Sequence, residues 1–182
     1  MRRLAAVALT WVLSVPAGAA PLKIFDAVLA VVEARTVAAS DIALARALGV
    51  LGFELSSSAI ERVDIERFID ALLILEEATR VGVTVDPSQI DRVWTAAVAG
   101  WGDEATFQRW LDTHALDPSR ARRFAEYEVV RARFIETRFD DLEERGTAEQ
   151  AQVEWLDATR RRATIRVLLT EGASIEPPFP PR

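Results

Sequence analysis

Any chemistry in this chain has to be done without cysteine and with a single histidine, His114. Thiol nucleophiles, disulfides and a lipid-bearing cysteine are therefore excluded. His114 stands next to the expected end of a short helix, where an imidazole meets the negative pole of the helix dipole rather than a substrate. No serine sits in a nucleophile-elbow pattern, and no His or Cys cluster has the spacing of metal ligands. Asp140, Asp141, Glu143 and Glu144 bring together four carboxylates, the ligand type of calcium. A helix would point them in different directions, so they read as a solvated acidic helix end that opposes the macrodipole. No catalytic residue, metal ligand or cofactor is assigned.

The aromatic residues are a better lead. Trp94, Trp101, Phe107, Trp110 and Tyr127, with Phe124, Phe134 and Trp155, are more than a small helical core obviously needs. Most rings in such a protein are core. The functional alternative is that some line a groove for extended, aromatic-bearing peptide, since exposed apolar patches mark partner surfaces. Trp94, Trp101, Phe107, Trp110 and Tyr127 are the candidate peptide-binding set. Trp101, between Gly100 and Gly102 in an expected loop, is the ring expected to be exposed. Arg120, Arg122 and Arg123, and residues 160–162, read as solvated helix faces.

The elements that must position these rings follow from periodicity. Residues 64–85 are the spine: Ile65, Phe68, Ile69, Leu72, Leu73 and Leu75 recur at helical spacing, and Gly82 supplies a stop. Before it, 27–32 and 36–38 form a hairpin around Glu33-Ala34-Arg35, although the usual Asn-Gly turn is missing. Ser40 is placed as the N-cap of a helix over 41–50, followed by a loop to Arg62. After the spine, Asp86-Pro87-Ser88-Gln89 is a strong helix start, Asp103 opens a short helix, and Asp117-Pro118 launches a long one towards Glu144, stopped by Gly146. Thr147-Ala148-Glu149-Gln150 reads as a capping box for a last helix, with Ala151, Trp155, Leu156 and Thr159 inward. The pattern then changes to period two at Ile165, Val167 and Leu169, which implies a strand. A lone strand needs an edge. The expected fold is therefore mainly α: a multi-helix body whose two ends meet in a small three-stranded antiparallel sheet. The proline-rich stretch 176–182 of the tail cannot join that sheet.

Composition sets the surroundings. The chain has 182 residues, 50% hydrophobic and 27% charged, as expected of one globular domain. Arg2 and Arg3, the apolar run 4–15, Pro16 and Ala17-Gly18-Ala19 have the order of a cleavable secretory signal, with cleavage after Ala19. The run is too short to span a bilayer comfortably. Loss of 1–19 leaves 20 basic against 28 acidic residues, a net charge of −8. Such a protein is a poor candidate for nucleic-acid binding. The expected division is a signal at 1–19, a helical domain at 20–170 and the tail at 171–182, with a periplasmic address and no membrane span after cleavage.

The order Val31-Val32, turn, Val37, Ser40-Asp41, then Phe68-Ile69-Asp70, Glu77-Ala78, Gly82-Val83 and an Asp-led helix resembles the N-terminal domain of SurA-like periplasmic chaperones. Trp155-Leu156, Arg161-Arg162-Ala163, Ile165 and Val167 resemble the helix and strand that complete that domain. The resemblance covers nearly all of 25–169. It implies the fold of that chaperone core and an ATP-independent holdase for unfolded envelope or outer-membrane proteins. In this family one or two parvulin-type prolyl isomerase domains usually separate the long helix from the last one; here only Glu143-Glu144-Arg145-Gly146 does, too few for a domain. The expectation is thus a non-enzymatic binder of extended polypeptide. The rivals are a dedicated interaction subunit of an envelope complex and, less in keeping with the missing segment, a peptidyl-prolyl isomerase.

Overall fold

A computed structural model describes residues 26–56, 58–143 and 147–178. The expected signal at 1–19 and the stop at Gly146 lie outside these residues. Strands β1 (Val28–Val32) and β2 (Arg35–Ala38) form the hairpin, followed by helices α1 (Ala39–Leu48), α2 (Arg62–Arg80), α3 (Pro87–Ala99), α4 (Glu104–Thr113), α5 (Pro118–Glu143) and α6 (Ala148–Arg162), and by β3 (Ile165–Val167). The protein is mainly α, with an antiparallel sheet of order β2-β1-β3. Ala30, Val31 and Val32 of β1 face Val167, Arg166 and Ile165, so the two ends of the described fold meet as the change of periodicity predicts.

The turn is tighter than the sequence suggests. Val32 pairs with Arg35, which leaves only Glu33 and Ala34 in the loop, and Glu33 takes φ 52°. A positive φ at the first loop position is the geometry for which glycine is preferred. Glu33 is held there from the far end of the chain: its amide donates to the Thr164 carbonyl at 2.9 Å, and the Thr164 amide donates to Glu33 Oε1 at 2.8 Å. Closure of the sheet thus replaces the missing turn signal.

The start of α1 also corrects an expectation. Ser40 lies inside the helix, not at its cap. Asp41 Oδ2 accepts the amide of Ala38, and Asp26 Oδ1 accepts the amide of Ser40, each at 3.0 Å. The Ser40 hydroxyl donates to Asp26 and accepts from Arg120. In a chain met from its sequence, Ser before an apolar helix outranks an acid three residues in; here the acids on both sides take the amides. The expected capping box at Thr147 does not form either, since the Thr147 side chain caps no amide of α6. The Asp86 cap does form, with Ser88 N donating to Asp86 Oδ1 at 2.8 Å and Gln89 at N3.

α1 is the innermost element. Ala39, Ile42, Ala43, Leu44, Ala45, Ala47 and Leu48 are all buried, as expected of a helix apolar all round. Its one large polar residue in that core, Arg46, pairs with Asp64 at the start of α2 at 2.7 Å, with side-chain exposures of 6% and 9%. Arg46 also donates to the Ser58 carbonyl at 2.6 Å, and Asp64 accepts the Glu61 amide at 2.8 Å, so the buried charges are satisfied. The spine α2 packs Ile65, Phe68, Ile69, Leu72 and Leu75 against this core. The tail begins on the body: Ile175 bridges Ile60 antiparallel, and Pro177 is buried.

Candidate functional site

The five candidate rings divide into two places. Trp94, Trp101, Phe107 and Trp110 form one cluster between α3, α4 and the end of α1, with Trp101 and Trp110 ring centroids 4.8 Å apart and Trp94 edge-on to Phe107 at 5.4 Å. Tyr127 lies elsewhere, beside Phe124 on α5. Trp101 is not exposed: only 3% of it reaches solvent, and its indole Nε1 donates to the Ala47 carbonyl at 2.8 Å. The two flanking glycines explain the reversal. They make the α3–α4 connection a compact turn, with Gly102 at φ 90°, and that turn folds Trp101 back onto α1. Phe107 and Trp110 are buried with it, and only Trp94 and Tyr127 are half-buried. The cluster is core: it fastens the α3–α4 pair to α1. His114 caps α4, with Nδ1 2.8 Å from the Trp110 carbonyl.

Two clefts among the described residues lie along α5. A cleft of about 380 Å³ runs between α3 and α5 over Val93, Val129 and Ala132, with Arg92, Glu128 and Glu136 at its edges. A second, of about 450 Å³, opens where the hairpin turn meets α2 and α5. Phe68, Leu72, Phe124 and Tyr127 line it, together with Arg35 from β2, Asp41 from α1, and Arg120 and Arg123 from α5. Centroids of Phe68 and Phe124 are 6.1 Å apart, and those of Phe124 and Tyr127 are 5.8 Å apart. Arg120 Nη2 lies 2.8 Å from Asp41 Oδ1 and donates to the Ser40 hydroxyl at the same distance.

Arg120, with 37% of its side chain still exposed, also ties α5 to α1. Arg122 pairs with Asp91 and lies 5.9 Å from the Trp94 ring centre, and Arg160 pairs with Asp70. The arginine runs of the sequence disperse because consecutive helical residues point about 100° apart. Reading α5 by face instead of by run finds the cleft: Arg120, Arg123, Phe124 and Tyr127 stand at i, i+3, i+4 and i+7. Of the acids at 140–144, Asp140 is exposed, while the side chains at 141, 143 and 144 lie outside the described set. Among the described residues no group of acids and histidine is placed to hold a metal ion, and no helix is long and apolar enough to cross a membrane. No protein-family model matches this chain, and no curated protein matches it significantly.

Proposed function

We propose that this protein is an exported, periplasmic holdase of the SurA-like type, which binds unfolded envelope or outer-membrane polypeptides without ATP and without a catalytic step. The observation that carries the reading is α5, a 26-residue helix with open clefts on two sides, set on a body closed by its own C-terminal strand. Reversible apolar contact over such clefts, worth about 25 cal/mol per Å² before ordering costs, is enough for weak and exchangeable binding. In this reading Trp101, Phe107 and Trp110 hold the fold, and Tyr127 is the one member of the original set that lines a client surface.

Light scattering of several unrelated unfolded clients, diluted into buffer with and without the protein, tests the reading beside a proline-peptide isomerisation assay. A holdase delays aggregation of many clients and leaves isomerisation at background. Protection of none is the result expected of a dedicated interaction subunit, and isomerisation above background would reject the non-enzymatic reading.

A further inference from the structure

The loop that leads into α2 offers one residue to a passing strand, and the chain's own tail has taken it. The Arg46–Asp64 pair holds that loop from inside: Arg46 donates to the Ser58 carbonyl at 2.6 Å and to the Ala59 carbonyl at 3.4 Å, and Asp64 Oδ2 accepts the Glu61 amide at 2.8 Å. Ile60, between them, is fully buried and gives both its backbone groups to Ile175. Its amide donates to the Ile175 carbonyl at 2.7 Å, and its carbonyl accepts the Ile175 amide at 3.0 Å. Among the described residues nothing else bonds those two groups. Ile175 lies half-buried against the core, and Pro177 is buried beyond it.

The tail's hold is short for a reason visible in its sequence. In an antiparallel ladder the next residue to exchange hydrogen bonds after Ile175 stands two places on, and that is Pro177, which has no amide hydrogen. One pair of residues therefore fastens a segment that is tethered to β3 through residues 168–174. The seat is braced from within, and its amide and carbonyl read backbone rather than sequence, as in recognition by strand addition. We infer that Ile60 is the centre of a seat for extended polypeptide, that the tail fills it as an internal placeholder, and that a client segment with an aliphatic residue followed two places on by proline displaces the tail. The source of that segment, an unfolded client, rests on the holdase reading. The placeholder keeps the Ile60 backbone paired and its apolar surroundings covered while no client is present. It also makes binding competitive: a tethered tail at an effective concentration of about 1 mM weakens a rival whose own Kd is about 100 µM by about tenfold.

Fluorescence anisotropy on the full chain tests this with Ile175→Pro, which removes the tail's amide and its aliphatic side chain and leaves β3 in place. The dye-labelled probes are the tail segment 171–178, the same segment with Ile175→Asp, and the unrelated peptide Gly-Ser-Ser-Val-Ser-Pro-Ser-Gly. The variant should bind the first and third probes about tenfold more tightly than the parent does, and the Asp probe should bind neither protein. Hydrogen exchange reports on the seat itself: the Ile60 amide should exchange faster in Ile175→Pro and slow again when a binding peptide is added. Ile175→Ala, which keeps the amide, gives the same readings at smaller size should the proline variant fail to fold. Equal binding by parent and variant, an Asp probe as tight as the first, no binding of the unrelated probe, or Ile60 exchange indifferent to peptide would overturn the inference. If clients are protected equally by parent and variant while no peptide binds, the seat assignment fails and the holdase reading survives. If the peptides bind as expected but neither protein protects a client, the seat assignment stands and the holdase reading fails.

Discussion

Helices α1 and α6, one carrying a single arginine in its last turn and the other three, live in opposite surroundings. In α1 nine of ten residues are buried, whereas α6 has no buried residue at all. The first is enclosed by the hairpin, α2, α5 and the Trp101 cluster, so its position is fixed from every side. The second lies on the outside of α2 and α5 and is held at a few points. Trp155 packs on Phe134 and Phe139 with centroids 5.3 and 6.2 Å away, Arg138 stands 5.1 Å from the same indole, and Arg160 reaches Asp70 and the Glu66 carbonyl. The body is thus a packed object, and the C-terminal return is a clasp placed over it. Local opening of a protein starts where few apolar contacts are buried, which here means α6 and β3.

The comparison breaks most sharply at Arg46 and Asp64. Arg46→Met leaves Asp64 as a buried carboxylate without its cation, and Asp64→Ala does the converse; either should destabilise the fold by about 3–5 kcal/mol. Denaturant midpoints measure this. A double substitution to apolar residues should recover much of the loss, because the pair contributes more by its mutual satisfaction than by net attraction. Loss of less than about 1 kcal/mol in both single variants would mean that α1 is less enclosed than its burial implies.

Truncation sharpens the same comparison at the clasp. Ending the chain after Arg162 removes β3, with Ile165, Val167 and Leu169 half-buried against the core, and frees Glu33 at its positive φ. The expected loss is about 3 kcal/mol from apolar burial alone. The docked start of the tail changes what a shorter cut should do. Ending after Gly172 takes away the Ile175–Ile60 bridge and Pro177, so it should lower the melting temperature as well, by less than half as much. Equal melting of the parent and the Arg162 truncation would show that the sheet does not depend on β3.

What the sequence conveys well is whatever is encoded within one or two turns of chain. The apolar period of α2, the Asp-Pro starts of α3 and α5, and the change of period before β3 were all legible, and the meeting of the two ends followed from the need of a lone strand for an edge. What it hides are interactions made across the chain. Arg46 and Asp64 look like ordinary surface charges until α1 proves to be inside. Glu33 looks wrong for a turn until Thr164, 131 residues on, supplies its partners. Trp101 looks exposed between two glycines because local flexibility is visible in sequence and the direction of a turn is not. The same limit explains the candidate rings: composition identified the aromatics, but only the spatial division separated a core cluster from Tyr127 on an open cleft.

The smallest expected effect concerns what holds α6, and it depends on pH. Burial raises the pKa of the Asp70 carboxyl, while the hydrogen bond and charge of Arg160 partly oppose this and Glu66 and Asp157 add to it. Asp70 in the folded protein therefore holds its proton more firmly than in the unfolded chain. Its contribution to stability is fully present below the ordinary aspartate pKa and is lost as pH rises through the raised folded value. The exposed helix-capping acids behave the other way. Asp86 and Asp103 are held below the ordinary range chiefly by backbone amides of Ser88 and Thr106, and Asp117 chiefly by the Ser119 side chain, so their contribution is lost in acid. At neutral pH, Asp70→Asn should change stability by no more than about 1 kcal/mol in either direction, as for other partly exposed pairs. As pH falls through the interval between the folded and unfolded pKa values of Asp70, the parent should gain on the variant, although both weaken as the capping acids protonate. Urea unfolding of the two proteins across that interval measures the difference. If the parent instead loses ground to Asp70→Asn on acidification, the Arg160 ion pair outweighs the burial of Asp70, and α6 is fastened by charge more than its sparse packing implies.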